Sequence, residues 1–331
     1  MYIIKVSNKF KYNSYKRELS NDLTVFQSAT IQKEYSKNKL FYSLPKRMTY
    51  KVFEVYDENE VMLILPAYIN NNRFEMAGDT NGIGNLSPIF FSDSLDNFCD
   101  YMKYLLSNLN YNEYVFNRVL EGSKLANYID RLTQYRVSKQ VIQNVKIIFN
   151  NDYDLWHSSL KKSVRQNLRT AYNRLEKDGL DYHVEFYDGD DISKSLITNM
   201  VRIYDKRHKE HYNVKTSYLK ELYMRYFDFS TRSLSKNKDA MHCILFINGT
   251  IAAFYSGYFD SNSKSIILPR LSIDADFSRY SPGYILLNEA IKEYSKNKFI
   301  DCIDLSTGVE KYKTDLGGTI YNKLDYTITK V

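Results

Sequence analysis

Three cysteines, five prolines and a single tryptophan are spread over 331 residues, and each scarcity closes off a class of protein. Cys99, Cys243 and Cys302 are odd in number and far apart, so neither a disulfide framework nor a zinc site is indicated, and a reducing cytoplasm fits best. So few prolines leave no room for a Pro-rich linker. Long apolar runs are missing too: Val61 to Ile69 contains Pro66 and falls far short of the roughly 20 residues a membrane helix needs. Met1 to Phe10 carries Lys5 and Lys9 without an apolar segment, so no secretory signal and no integral membrane segment are expected, while peripheral membrane association stays open.

What is present describes a folded protein. Hydrophobic residues make up 44% and aromatics 15%, which is incompatible with extended disorder. The length exceeds one ordinary core, and two domains are expected, residues 1–150 and 151–331. The 31 tyrosines accompany abundant Lys, Asn and Ile, as AT-rich coding DNA would produce. A formal charge of +7 favours anionic partners; coenzyme A, nucleotide-linked sugars, tRNA and anionic lipid all qualify.

The second half reads clearly. Val184 to Tyr187 predicts a short strand, and Ile192 to His208 and Tyr218 to Phe229 have helical spacing. Met241 to Ile247 and Ile251 to Tyr258 flank Asn248-Gly249, a favoured hairpin turn. A further strand over Ser265 to Leu271, a helix over Tyr284 to Asn297, a strand over Ile300 to Leu305 and a final strand over Thr319 to Thr329 follow. The first half repeats that order more faintly: strands at Tyr50 to Tyr56, Val61 to Ile69 and Arg73 to Met76, a helix over Leu95 to Leu106, a strand over Tyr114 to Val119. A duplicated fold is expected. Gly78, Gly82 and Gly84 read as a plain connecting loop, because no helix follows them directly.

Two stretches carry chemistry. Ser281-Pro282-Gly283 opens a helix whose free N–H groups and positive dipole end suit a pyrophosphate, and the strand behind it ends in Asp304 and a polar turn. Between the halves, Leu160, Val164, Leu168, Ala171 and Leu175 share one helical face. Lys161, Arg165 and Arg169 lie away from it, four residues apart, as an anion-facing row or a solvated basic face. His208 and His211 have helical spacing but no third ligand, so no metal site is expected. Trp156 and His157 are expected at the junction of the halves.

Ser163-Val-Arg-Gln-Asn-Leu-Arg169 running into Arg174-Leu-Glu-Lys-Asp-Gly179, Tyr280-Ser-Pro-Gly-Tyr-Ile-Leu-Leu287 and Asp304-Leu-Ser-Thr-Gly-Val-Glu-Lys-Tyr-Lys313 resemble the GNAT superfamily of acyltransferases. They are most similar to its duplicated branch, related to the Fem aminoacyl ligases and to acetyltransferases of cellulose and capsule synthesis. Phe26-Gln-Ser and Leu63-Ile-Leu-Pro66 are similar to that branch as well. The resemblance implies an α/β fold of two GNAT-like halves with mixed sheets, packed side by side, and one acyl-donor site in the C-terminal half. It also implies acyl-CoA as co-substrate, acetyl-CoA being the simplest, with its pantetheine arm along Leu268 to Ile273. Leu271, Ser272, Ile273, Arg279, Ser281, Pro282, Gly283 and Tyr284 are the expected donor contacts, although Pro282-Gly283-Tyr284 displaces the usual glycine pattern. The implied acceptor is a small molecule or nucleotide-linked sugar of envelope polysaccharide synthesis; tRNA is the alternative donor carrier, and DNA is not expected.

Aminolysis of a thioester needs a neutral amine, a donor for the developing oxyanion and a proton for the departing thiolate. A backbone N–H around Leu271 to Ile273 is the expected oxyanion donor. Glu310, after a glycine turn at the mouth of the Asp304 strand, is the first candidate base, or else an exposed helix-start glutamate. Asp304 orients the amine, acts as the base, or caps its own turn. Tyr312 sits where GNAT relatives place a tyrosine acid, and is otherwise a packing residue. Arg165, Arg207 and Lys313 are candidates for a substrate anion, with solvent exposure as the alternative. A non-catalytic module binding an anionic ligand is the reading from a different class.

Overall fold

The computed structural model describes residues 2–10, 24–37, 48–77, 87–91, 94–211 and 240–330. Gly78, Gly82, Gly84 and the helix expected over Tyr218 to Phe229 lie outside the described residues, as do the side chains of His208 and His211. The chain divides into two compact units, Met1–Asn144 with Tyr321–Val331, and Val145–Ile320. The last strand, Thr319–Lys330, pairs antiparallel with Glu113–Leu120 of the first unit.

The first unit contains strand β1 (Ile3–Ser7), helix α1 (Ala29–Lys37), strands β2 (Thr49–Asp57), β3 (Glu60–Ile69), β4 (Arg73–Met76) and β5 (Ile89–Phe90), helix α2 (Leu95–Asn108), strand β6 (Glu113–Leu120) and helix α3 (Lys124–Ile129). The β2–β3 turn places Glu58 and Asn59 at φ +48° and +72°, the paired positive angles that match a two-residue connection to strand twist. β1, β2, β3 and β4 are successive antiparallel neighbours, and β4 then runs parallel to β6. Phe53, Phe74, Tyr114 and Phe116 fill its core, with Phe74 within 6.2 Å of the other three rings.

Strand β7 (Tyr135–Ile148) contains the boundary between the units. Helices α4 (Tyr153–Ser159) and α5 (Lys162–Lys177), strand β8 (Tyr182–Asp188), helix α6 (Lys194–His211), strands β9 (Ala240–Ile247), β10 (Thr250–Asp260) and β11 (Ser265–Ile273), helix α7 (Pro282–Tyr294), strand β12 (Cys302–Thr307) and helix α8 (Lys311–Asp315) follow; the final strand is β13. β8, β9, β10 and β11 are successive antiparallel neighbours, and β12 runs parallel to β11. One face packs Leu168, Ala171 and Leu175 of α5 and Ile285, Leu286 and Ile291 of α7 against Leu245, Tyr255 and Ile266. The other packs Met200, Val201 and Tyr204 of α6 against Ile244 and Phe254.

The apolar stripe foreseen on α5 is buried along its length. The helix then stops at Gly179, φ +65°, where Leu180 N–H reaches the Leu175 carbonyl and Gly179 N–H that of Glu176. This satisfies carbonyls a helix end otherwise leaves open. Trp156 is buried within the second unit's core, its indole N–H donating to the Leu316 carbonyl at 3.1 Å, an apolar body with one fixed hydrogen bond.

Candidate functional site

The parallel pair β11–β12 is joined for a short distance only. Its register runs Ser265 with Cys302, Ile266 with Ile303 and Ile267 with Asp304, and stops there, while β11 continues to Ile273. The cause lies in β11 itself. Ser256 pairs with Arg270 but Tyr258 pairs with Ile267, so β11 spends an extra residue around Leu268-Pro269, and Pro269 brings no N–H to a ladder. Across from the bulge, Gly257 is obligatory: a Cβ there would lie 2.5 Å from the Ile267 carbonyl oxygen.

Beyond the bulge, the free edge of β11 has a defined polarity. Asp274 N–H donates to the Ala252 carbonyl at 2.9 Å, and Phe254 pairs with Ser272. Hydrogen-bonded and open positions alternate in antiparallel pairing. Ser272 therefore turns its backbone groups to β10, and Leu271 and Ile273 turn theirs to the side that β12 has left.

At the end of this edge a 3-10 helix, Ala275–Tyr280, leads into α7. Ser281 adopts φ +51°, makes no side-chain cap, and is followed by Pro282 at the first helical turn, with no acidic residue there. An N-terminus left without its own cap or carboxylate keeps its partial positive charge for an external anion. Gly283 lies against Ile273, at whose methyl a Cβ would make contact at 3.4 Å. Arg279 is largely exposed, pairs with Asp178 at 3.3 Å, and its carbonyl accepts from Arg174 at 2.7 Å. Tyr284 directs its hydroxyl to Asp315 of α8 at 3.3 Å, so its side chain reaches the opposite wall.

That wall is the turn after β12. Ser306 and Gly308 take φ of +57° and +98°. Asp304, 5% exposed, accepts the Ser306 N–H at 2.8 Å, the geometry of a carboxylate that fixes its own turn. Glu310 folds back over Gly308, where a Cβ would sit 2.7 Å from its carboxylate oxygens. Lys313 is 3% exposed; its ammonium donates to the Thr307 and Gly308 carbonyls at 2.7 and 3.2 Å and pairs with Glu310 at 2.9 Å. An ammonium has three N–H donors, and all three are engaged internally, which leaves none for the substrate anion expected of this residue.

Tyr312 is pushed up to about 12 by burial, with the Glu310 charge adding to the shift and the Arg207 charge opposing it. Tyr284 rises to about 12 through burial and the Asp315 charge. The structure thus gathers Glu310, Tyr312, Lys313, Arg207 and Tyr284 around one turn. Arg165 is elsewhere, lining a cavity with Arg169 and Tyr172 of α5.

A buried polar row on the α6 face of the sheet was not foreseen. His242 Nδ1 meets Ser256 Oγ at 2.9 Å, Arg270 pairs across from Ser256 with its guanidinium 5.3 Å from the Tyr204 ring, and Ser272 lies one pair further along. His242 Nε2 and Ser272 Oγ are buried without a hydrogen-bond partner, and burial lowers the His242 pKa to about 4. Polar residues inside strands read most simply as outward-facing; the hairpin register was the signal that set them on one face. Among the described residues no cluster of His, Cys, Asp or Glu suits a metal ion, and no helix is long and apolar enough to cross a membrane.

Residues 162–314, which contain both the opening strand pair and the uncapped helix start, match the acetyltransferase (GNAT) domain family. The second unit therefore carries a GNAT domain, as the motifs indicated. The fold extends over most of the chain: it is similar to FemX at 9% identity, covering 88% of this chain and 90% of that one with a TM-score of 0.56. It is also similar to L-PGS from Bacillus licheniformis at 12% identity, covering 88% and 86% with a TM-score of 0.51. A conserved protein of unknown function from Bacteroides thetaiotaomicron shares 11% identity over 88% of each chain, with a TM-score of 0.56. No curated protein matches the chain by sequence.

Proposed function

We propose that this protein transfers an acyl group, most simply acetyl, from acyl-CoA to an amine, or else a hydroxyl, on a sugar or other cell-envelope polysaccharide precursor. The observation that carries the reading is the opening between β11 and β12, lined by the outward backbone of Leu271 and Ile273 and ending at the uncapped start of α7. In this reading the pantetheine arm lies along Leu271 to Ile273, and the pyrophosphate meets Ser281, Pro282 and Gly283, with Arg279 beside them. Pro282 removes one N–H from that cradle, which places more of the anion's binding on Gly283 and the helix dipole.

The acceptor amine loses its proton to Glu310 as its nitrogen bonds the thioester carbon. An N–H of Leu271 or Ile273 holds the oxyanion, and collapse breaks the C–S bond while Tyr312 protonates the leaving thiolate. A Tyr312 hydroxyl held up to about 12 stays protonated through the neutral range, as an acid at that step must. Lys313 positions Glu310, Asp304 fixes the turn, and Arg207 supplies positive charge beside Tyr312.

A second reading has its own support. The fold likeness to FemX and to L-PGS suits an aminoacyl group delivered by tRNA to a peptidoglycan precursor or related acceptor. Purified protein incubated with a panel of acyl-CoAs and aminoacyl-tRNAs, against amino-sugar and nucleotide-linked amino-sugar acceptors, separates the two by released thiol and product mass. Thiol release matched by acylated product is expected. Transfer from tRNA with every thioester silent overturns the first reading, and silence from all donors with retained ligand binding favours a non-catalytic module.

A further inference from the structure

A cavity of about 420 Å³ lies between α4, α5 and α7, and no residue of Arg279–Tyr284 or Glu310–Lys313 lines it. Its walls combine two chemistries. On α5, Arg165 and Arg169 are four residues apart and so share a face. Arg165 is held by donating to the Ser158 carbonyl, whereas Arg169 has no carboxylate partner among the described residues. Opposite them, Tyr153 and His157 of α4 stack at 5.6 Å with an interplanar angle of 22°.

The floor is rigid and polar. Asn288 of α7 is 4% exposed, and its amide orientation is fixed from both ends: Tyr153 donates to its Oδ1 at 3.1 Å, and its Nδ2 donates to the Tyr172 hydroxyl at 2.8 Å. Tyr172 in turn donates to Glu289 at 2.5 Å. The Glu289 carboxylate is thus engaged by a tyrosine, and neither guanidinium pairs with a carboxylate among the described residues. A core asparagine between two tyrosines, under an unpaired guanidinium and beside a stacked aromatic pair, has no packing rationale that an apolar residue would not serve better.

We propose that this cavity is a second anion site, one that takes the phosphate and ring of a nucleotide. Guanidinium pairs suit phosphate oxygens. The volume falls in the range of small-ligand pockets, and a flat Tyr–His pair presents a surface on which a base or sugar ring can lie. Inorganic phosphate would use only the arginine side. The inference goes beyond the acyl-transfer reading and does not depend on it. A nucleoside diphosphate is shared by two sources, coenzyme A itself and a nucleotide-linked sugar, and the cavity's distance from the donor loop in the sequence leaves the source to experiment.

Isothermal titration of the full chain with UDP, UDP-N-acetylglucosamine, 3′,5′-ADP, coenzyme A and inorganic phosphate tests this without turnover. At least one nucleotide is expected to bind more tightly than phosphate. Arg169→Gln, a change at an exposed side chain, should weaken it tenfold or more with an unchanged melting temperature. Tyr153→Ala should erase the preference over inorganic phosphate. Arg279→Gln distinguishes the sources: UDP-sugar binding that survives it but falls with Arg169→Gln assigns the cavity to an acceptor nucleotide. Loss of 3′,5′-ADP with Arg169→Gln assigns it to the donor's nucleotide. Failure of every nucleotide to bind, or nucleotide binding that responds to Arg279→Gln and not to Arg169→Gln, overturns the proposal. Acyl transfer can fail while these titrations succeed, and the reverse, so the two readings fall separately.

Discussion

The two units share an order of strands and differ where it matters. Each has a meander whose third strand runs parallel to the strand after a helix: β4 with β6 in the first, β11 with β12 in the second. β4 is four residues long, and its pairing with β6, Arg73 with Glu113 through Glu75 with Val115, reaches to within one residue of its end. Arg73 holds Glu113 at 2.7 Å, and Phe74 lies against Tyr114 and Phe116. β11 runs six residues past its last paired position. The helices differ in the same sense. Ser94 caps α2 by accepting the Asn97 N–H, and Asp96 sits in the first turn; α7 has neither device. The first unit satisfies its own helix end and closes its own strand pair, while the second leaves both open, as a ligand site requires.

The largest effect that tests this contrast is on turnover. Glu310→Gln should lower kcat by about 10²-fold or more while coenzyme A affinity is retained, whereas Asp96→Asn in the first unit should change neither; steady-state rates beside titrations check both. Next comes stability. Lys313→Met removes the ammonium that ties Thr307, Gly308 and Glu310, and with two carbonyls left unpaired it should cost about 3 kcal/mol in a denaturant melt.

The third effect depends on pH. All five histidines lie between residues 145 and 320, and His242 is held neutral down to about 4 by burial. Its folded pKa lies below its unfolded value of about 6.5, so the unfolded chain binds the extra proton between those limits and stability falls as pH drops through them. A loss on the order of 2 kcal/mol is expected. Hydrogen exchange at pH 7 and pH 4.5 should register it in the second unit, and His242→Gln should flatten it. Smallest of all, Ser94→Ala should cost about 1 kcal/mol through its lost cap, and Ser281→Gly should gain a few tenths through its positive φ. Unequal thermal shifts of opposite sign would mark the two helix starts as differently built.

Most strands and helices were legible because period and turn chemistry agreed: Asn248-Gly249 sits at φ of +46° and +71° as its hairpin demanded. β7 was not legible, since Tyr135-Arg-Val-Ser-Lys-Gln interleaves charge with apolar residues on a mostly exposed stretch. α7 begins at Pro282, two residues before the Tyr284 start that its apolar pattern predicts, because Pro282 suits a first helical turn. That Glu310 and Tyr312 share one turn of the candidate site was legible from motif order. The occupation of Lys313 was not, because which carbonyls an ammonium reaches depends on the +98° turn at Gly308. The register of β13 with β6 joins residues about two hundred positions apart, beyond the reach of any local pattern.

That last pairing has a consequence for how the polypeptide is made. Every residue of the second unit precedes Tyr321 in the chain, while the first unit needs Leu324, Tyr326 and Ile328, all buried beside Val115, Phe116 and Val119. On a ribosome, where domains form as their residues emerge, the later-encoded unit has its full sequence before the earlier one does. Until the final segment arrives, β6 presents an unpaired apolar edge, the kind of surface that recruits stray strands. A released chain truncated after Ile320 should therefore hold a protease-resistant second unit and a first unit still lacking its closing strand.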